Sequence, residues 1–138
     1  MQNTVEEAPP GRRGRTAMCK GVGFDLCEVG RMKKLSEDER FLNRFFTEEE
    51  REYLRSKGKN RAQTLAGMFA AKEAFTKAMG TGIVFELQEI AVSHDERGMP
   101  FYRLSGKAAE AAGKDRFFLS VSHDGGMAGA VCVREGGE

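Results

Sequence analysis

The chain has 138 residues, 40% hydrophobic and 31% charged, with 22 basic residues against 21 acidic ones. This length suits one globular domain with a modest core. A net charge of +1 gives no overall field for nucleic-acid binding, and no apolar run approaches the roughly 18 residues of a membrane-spanning helix. We therefore expect neither a membrane protein nor a partner of nucleic acid.

Residues 1–17 contain almost nothing apolar and include two prolines and three arginines. This composition predicts a disordered leader, with the folded domain over 18–138. A secretory signal would carry an apolar stretch after its basic residues, and none follows. We therefore expect a cytoplasmic protein.

The three cysteines are Cys19, Cys27 and Cys132. Their number is odd and they form no C-x-x-C pair, which argues against a disulfide scaffold and against a zinc or redox site. Because all three lie in apolar contexts, we predict that they are small core residues.

The first predicted element covers 19–27, where apolar residues alternate with Gly21 and Gly23. This pattern predicts a short buried strand that ends near Asp25. Asp25 and Glu28 then follow the glycines at the strand end. Two acids in this position are typical of a solvated turn, although they also suit a metal ion.

Three helices are predicted next. Residues 36–39 and 47–50 both match the capping-box pattern that opens a helix, and the second helix closes with basic residues and Gly58. The longest helical pattern runs over 61–79 and stops at Gly80.

The long helix has two predicted strips. Its apolar face, at 3.6-residue spacing, contains Leu65, Met68, Phe69, Phe75 and Met79. The neighbouring strip contains Ala66, Ala70, Glu73 and Lys77. Its small residues allow another backbone or a ligand to approach Glu73 and Lys77. That spacing is common for surface ion pairs, but the two side chains also suit a hydrated Mg²⁺ beside a phosphate.

The remaining chain is predicted to form strands. Residues 89–93 and 101–104 form a hairpin, Ser105 caps a helix that reaches Ala112, and 117–121 pair with 128–133. The predicted fold is α+β, with an antiparallel sheet packed against one long helix.

Two histidines and a basic stretch complete the candidate residues. His94 lies in the hairpin turn and is assigned to the surface. His123, at a strand end, is either a phosphate contact, a general base or a residue without a function. Around Arg31, a local positive patch contains Arg31, Lys33, Lys34, Arg40 and Arg44. A solvated helix face would carry the same charges.

Together, three motifs give a more specific signal than any of these residues alone. They are GVGFDL at 21–26, FAAKEAF at 69–75 followed by Lys77 and the GTG of 80–82, and SVSH at 120–123. In order and spacing they resemble the holo-acyl-carrier-protein synthases, the short type of 4′-phosphopantetheinyl transferase. The resemblance covers about four fifths of the chain.

The resemblance implies the 4′-phosphopantetheinyl transferase fold and a reaction in fatty acid biosynthesis and lipid metabolism. The serine of an apo acyl carrier protein attacks the β-phosphate of coenzyme A, giving the holo carrier and adenosine 3′,5′-bisphosphate. It also implies a homotrimer with sites between subunits.

Site residues follow from the same resemblance. Asp25 and Glu73 bind Mg²⁺, Lys77 contacts phosphate, and His123 lies by the adenosine end of coenzyme A. Arg31 receives an acidic helix of the carrier. Either Glu73 or a water molecule that it orients on the metal takes the serine proton. The chain departs from the family at Met68, where members often have an arginine that holds coenzyme A phosphates.

Two other classes use some of the same residues. A small Mg²⁺-dependent nucleotidyl or phosphohydrolase enzyme would need the same acids and lysine, and a non-catalytic binding module would leave Glu73 and Lys77 as a simple ion pair. Only carrier-dependent release of adenosine 3′,5′-bisphosphate distinguishes the transferase from the first class. A divalent-metal effect on coenzyme A binding distinguishes it from the second.

Overall fold

The fold combines helices and antiparallel strands, as predicted, in a computed structural model that describes residues 18–80 and 82–137. The leader predicted over 1–17 lies outside the described residues. No helix among the described residues is long and apolar enough to cross a membrane. In chain order the elements are β1 (Cys19–Glu28), α1 (Val29–Leu35), α2 (Glu39–Phe45), α3 (Glu48–Arg55), α4 (Arg61–Met79), β2 (Ile90–His94), β3 (Pro100–Leu104), α5 (Gly106–Ala112), β4 (Arg116–Asp124) and β5 (Met127–Glu135).

The described strands form two antiparallel sheets, where the sequence predicted one. The larger has the order β1-β5-β4, with Asp25 opposite Ala130, and the smaller is the predicted hairpin of β2 and β3. α4 lies across β1 and β5 on one face of the larger sheet. The core lies between this helix and the two sheets, where the Phe75 ring contacts the rings of Phe85, Tyr102 and Phe117.

α4 spans the predicted residues and ends as predicted. Gly80 closes it in the left-handed conformation, with φ of 61°, which favours glycine because it has no Cβ. Four residues of the predicted apolar face are buried, and the fifth, Phe69, is half-buried. Along the neighbouring strip the solvent exposure increases: Ala66 and Ala70 are buried, Glu73 is half-buried and Lys77 is exposed. The strip therefore leads from the core to solvent.

Of the two predicted capping boxes, one is confirmed and one is wrong. Thr47 accepts from the backbone N–H of Glu50, and the Glu50 carboxylate accepts from that of Thr47. Ser36 instead closes α1, because its hydroxyl donates to the carbonyl of Lys33, and Asp38 caps α2. Ser105 occupies the predicted N-cap position of α5 without a side-chain hydrogen bond from the helix.

Two further predictions are corrected at β1. The strand continues to Glu28 rather than ending near Asp25, because β5 pairs with it along its whole length as far as Met127. Cys19, at its first position, is exposed and not a core residue. Cys27 and Cys132 are buried as predicted, and burial raises the pKa of the Cys132 thiol to about 11. That thiol is therefore protonated and unreactive at neutral pH.

The end of β5 is held by an ion cluster around Asp115. Its carboxylate accepts from Arg134 Nε at 2.7 Å, from Lys20 Nζ at 3.1 Å and from the backbone N–H of Gly137 at 3.0 Å. These bonds, led by the one from Gly137, lower the pKa of Asp115 to about 2. Arg134 also donates to the carbonyl of Met79 at the end of α4. The cluster thus joins both edge regions of the sheet to the helix.

We expect Asp115→Asn to lower the free energy of unfolding at neutral pH by about 1–3 kcal/mol, because hydrogen bonds to a charged group are lost. The folded pKa lies below the unfolded value of 3.8, so this stabilisation is complete above that value and disappears as the pH falls towards 2. Chemical denaturation from pH 7 to pH 2.5 measures it. Glu110→Gln, at an exposed position of α5, is the control. A pH-independent difference between wild type and Asp115→Asn would contradict the prediction.

Candidate active site

The site begins with a close contact between β1 and α4. A Cβ atom at Gly23 would overlap the carbonyl oxygen of Ala74 and lie 2.7 Å from the backbone nitrogen of Ala78, and one at Gly21 would also overlap Ala78. Only glycine fits in either place. The strand backbone therefore lies directly on the helix backbone, next to the strip that carries the candidate acid and lysine.

Asp25 lies two residues beyond Gly23, so it projects from the same face of the strand towards α4. Lys77 Nζ lies 2.9 Å from Asp25 Oδ1 and donates to the carbonyl oxygen of Phe24 at 3.2 Å. The side chain of Asp25 is 21% exposed and that of Lys77 is 57% exposed. The structure thus brings two of the predicted site residues into direct contact at a solvent-accessible edge.

Glu73 lies one turn before Lys77 on α4 and is half-buried. Partial burial, and then the charge of Asp25, raise the pKa of the Glu73 carboxyl, while Lys77 opposes the shift. Two neighbouring carboxylates in a partly buried place repel each other, and a divalent cation relieves that repulsion. The three predicted residues therefore form one electrostatic unit.

The donor set fits Mg²⁺ when substrate supplies the remaining ligands. Among residues 18–80 and 82–137, no group of three or more His, Cys, Asp or Glu side chains could hold a metal by itself. Mg²⁺ normally uses one or two protein carboxylates and completes its octahedron with water and phosphate oxygens. Asp25 and Glu73 would hold the ion under that rule.

His123 lies on β4 and contacts a different part of α4. It stands near the end of β4, where its Nε2 is 3.1 Å from the carbonyl oxygen of Gln63 and close to Gly67. Gly67 and Glu73 are six residues apart, or about 9 Å along the helix axis. Within one chain, the structure does not bring His123 to Asp25, Glu73 and Lys77.

A pocket of about 200 Å³ opens beside His123, lined among others by Tyr53, Met68 and His94. The rings of Tyr53 and His94 stack with their centroids 4.0 Å apart. His94 is half-buried, so its assignment to the surface is wrong, and its Nδ1 is buried without a hydrogen-bond partner. Burial and the charge of Lys57 lower the pKa of its imidazole. No local sequence pattern identifies Tyr53 or His94, because α3 and the hairpin meet only in the fold.

Arg31 is exposed on α1, which follows β1 directly. The other four members of the predicted positive patch are exposed on α1 and α2. The patch therefore lies on α1 and α2, the two helices that follow the strand carrying Asp25. It is accessible to a partner surface.

The fold is that of a group-transfer enzyme, and residues 21–130 match the 4′-phosphopantetheinyl transferase superfamily. A holo-[acyl-carrier-protein] synthase of Treponema denticola is 46% identical over 123 residues, covering 86% of this chain and all of the relative. A synthase of the same name from Caldanaerobacter subterraneus is 47% identical over 122 residues, covering 85% of this chain and 95% of the relative. The chain belongs to the holo-[acyl-carrier-protein] synthase family.

Solved structures agree with this assignment. The holo-[acyl-carrier-protein] synthase of Neisseria meningitidis superposes with a TM-score of 0.74 at 35% identity, covering 86% of this chain and all of that one. The synthase of Bacillus anthracis, solved in complex with CoA (3′,5′-ADP), gives a TM-score of 0.72 at 36% identity, with 86% and 97% covered.

Proposed function

We propose that this chain is a Mg²⁺-dependent holo-[acyl-carrier-protein] synthase, which transfers the 4′-phosphopantetheine group of coenzyme A to a serine of an apo acyl carrier protein. The observation that carries the proposal is the contact of Lys77 with Asp25 beside Glu73, in a chain of this family. The proposal includes a cytoplasmic location and a role in fatty acid biosynthesis.

The cluster suits phosphoryl transfer, in which catalysis consists mostly of positioning and charge neutralisation. Asp25 and Glu73 would hold Mg²⁺, which when bound neutralises charge on the pyrophosphate. The exposed ammonium of Lys77 is free to turn from Asp25 to a phosphate oxygen. Glu73, whose pKa is raised by burial and by Asp25, is suited to accept the proton of the attacking serine.

The pocket beside His123 is the proposed binding site for the nucleotide end of coenzyme A. Its stacked Tyr53 and His94 offer an aromatic wall, and His123 stands at its edge. Met68, which replaces the arginine common in the family, lies 2% exposed in the same wall. Binding of the coenzyme A phosphates would therefore depend on Lys77 and His123 rather than on a cation at position 68.

A homotrimer would explain the outer face of the larger sheet, which α4 does not cover. Val22, Phe24 and Leu26 alternate with the buried residues of β1 and are 58%, 56% and 55% exposed, and Phe118 on β4 is 47% exposed. Contiguous apolar surface of this kind is typical of a protein interface. Association through it would bring His123 of one copy closer to Asp25 and Glu73 of another.

We expect Val22→Lys to dissociate the assembly, because three buried copies of the new ammonium would lack partners. Light scattering coupled to size exclusion measures the mass, and circular dichroism checks that the monomer is folded. Val84→Lys, the same change at an 86% exposed position outside the sheet, is not expected to change the mass. An assembly of unchanged mass in Val22→Lys would contradict the use of this face.

The positive patch supports recognition of an acidic carrier helix. We expect Arg31→Glu to weaken carrier binding by at least about tenfold at low salt and to flatten its salt dependence, since rim charges govern encounter and register. Coenzyme A affinity should stay unchanged. Lys114→Glu, an equal charge change in the exposed turn after α5, is the control. Equal loss of both affinities in Arg31→Glu would count against this role.

The decisive experiment is the intact mass of an apo acyl carrier protein incubated with the chain, coenzyme A and Mg²⁺. The carrier should gain one phosphopantetheine group, and adenosine 3′,5′-bisphosphate should appear only when the carrier is present. A phosphohydrolase would release nucleotide without carrier, and a binding module would release none. Either result would refute the transferase.

A further inference from the structure

A buried ion pair lies behind the candidate site. Lys72 Nζ is 2.9 Å from Glu50 Oε1, and the two side chains are 0% and 1% exposed. Lys72 immediately precedes Glu73 on α4. The site described above does not use either residue of this pair.

Directional bonds extend from the pair to four parts of the fold. Lys72 also donates to the carbonyl oxygen of Leu87 at 2.7 Å, in the turn before β2, and its ammonium lies 4.6 Å from the ring centre of Phe46. Glu50 on α3 accepts from the backbone N–H groups of Thr47 at 2.9 Å and Val92 at 2.8 Å. The ion pair therefore links α3 and α4 to β2 and to the turn before β2.

The buried side chains of α4 constrain its rotation about its own axis only weakly. Eleven of its nineteen residues are buried, and they lie on most sides of the helix. Five of them are alanines, whose contacts are small and non-directional. A helix buried nearly all round has no single apolar stripe to choose one rotation. Gly21 and Gly23 hold α4 at Ala74 and Ala78. The directional bonds of Lys72, which lies about 200° round the helix from Ala74, hold the opposite side.

Stability alone does not account for a buried ion pair. Its desolvation penalty offsets much of the mutual attraction, and well-packed apolar replacements are often as stable. In contrast, the position of the neighbouring Glu73 carboxylate depends strongly on the rotation of α4. Rotating a helix by about 10° moves a group about 5 Å from its axis by about 1 Å. Catalytic constellations tolerate only about 0.5 Å.

We propose that the Lys72–Glu50 pair is a positioning device that sets the rotation of α4, so that Glu73 faces Asp25 and the two can share a metal ion. Lys72 and Glu50 are positioning residues, since neither touches the site. This inference rests on the proposed function, because it concerns the metal affinity of the same two carboxylates.

The test separates stability from geometry with three variants: Lys72→Met, Glu50→Gln and the double variant that removes both charges. Each single variant leaves one buried charge unpaired and lowers the Tm. The double variant recovers most of that loss. In Lys72→Met and in the double variant, Mn²⁺ binding in the presence of adenosine 3′,5′-bisphosphate should be weaker by about tenfold, followed as free Mn²⁺ by electron paramagnetic resonance. The Mg²⁺ concentration for half activity should rise in parallel.

Two controls accompany these variants. Glu49→Gln changes the neighbouring, exposed carboxylate of α3 and should leave both the Tm and Mn²⁺ affinity unchanged. Leu42→Ala lowers the Tm by opening a cavity in α2 and should leave Mn²⁺ affinity unchanged.

Wild-type Mn²⁺ affinity in a double variant of recovered Tm would overturn the proposal. If the double variant does not recover its Tm, the Leu42→Ala control decides. A loss of Mn²⁺ affinity in Leu42→Ala equal to that in the ion-pair variants overturns the proposal, and a loss confined to the ion-pair variants supports it. A wild-type protein that binds no Mn²⁺ beside the nucleotide would instead refute the proposed metal site of Asp25 and Glu73, and this inference with it, while the carrier mass shift tests the transferase separately.

Discussion

Glu73→Gln is expected to lower turnover by orders of magnitude and to raise the Mg²⁺ concentration required for half activity. Glutamine keeps the shape of the side chain but removes the charge that is proposed to complete the metal site. It also removes the carboxylate that, directly or through a water on the metal, is proposed to take the serine proton. Asp25→Asn should give the same two effects, because the two carboxylates are proposed to hold one ion. Steady-state assays over a Mg²⁺ titration measure both quantities.

The double variant provides the sharper measurement. Groups that act as one unit are non-additive, so Asp25→Asn with Glu73→Gln should be little worse than the worse single variant. Neither change should unfold the protein, since Asp25 is partly exposed and its pair with Lys77 contributes at most about 1 kcal/mol. Glu52→Gln, on the exposed face of α3, should alter nothing. Multiplicative losses with unchanged Mg²⁺ dependence would refute a shared ion.

Gly23→Ala is the second large effect that we expect. The new methyl group would overlap the carbonyl oxygen of Ala74, and two packed backbones cannot yield as a flexible side chain can. We expect a loss of about 3 kcal/mol, the upper end for overpacking, and a fall in Tm of about 10 °C. Activity should fall further, because β1 can accept the methyl group only by moving Asp25 away from α4.

Gly30→Ala is the matched control for this change. Gly30 lies inside α1, where a Cβ atom would have no neighbour within 4 Å. Alanine there should raise stability by about 0.5–1 kcal/mol, because glycine costs more backbone entropy in a helix. Thermal unfolding followed by circular dichroism compares the two variants. A Gly23→Ala protein as stable and active as wild type would contradict the close contact.

Features with a local cause were predictable from the sequence. α4 was bounded correctly because its helical pattern ends at a glycine that takes the left-handed conformation, and Thr47 was recognised because its capping box closes within four residues. Ser36 shows the limit of such patterns. Its backbone N–H donates to the carbonyl of Met32 and its hydroxyl to that of Lys33, so it ends the preceding helix instead.

Features that depend on distant pairing were not predictable in the same way. β1 continues past Asp25 only because β5 runs beside it to Met127, and His94 is half-buried only because Tyr53 stacks on it. The motifs placed Asp25 and Lys77 in one site by resemblance, and the glycine contact supplies the physical reason. No periodicity pairs Lys72 with Glu50, which are 22 residues apart and on different helices.

β1 also suggests a route to inhibition. Its successive side chains alternate between the helix, where Asp25 lies, and the open apolar face of Val22, Phe24 and Leu26. In the proposed homotrimer a neighbouring copy covers that face, so a small molecule bound there would inhibit by separating the copies rather than by occupying the proposed coenzyme A pocket. Its effect would weaken as the protein concentration rises.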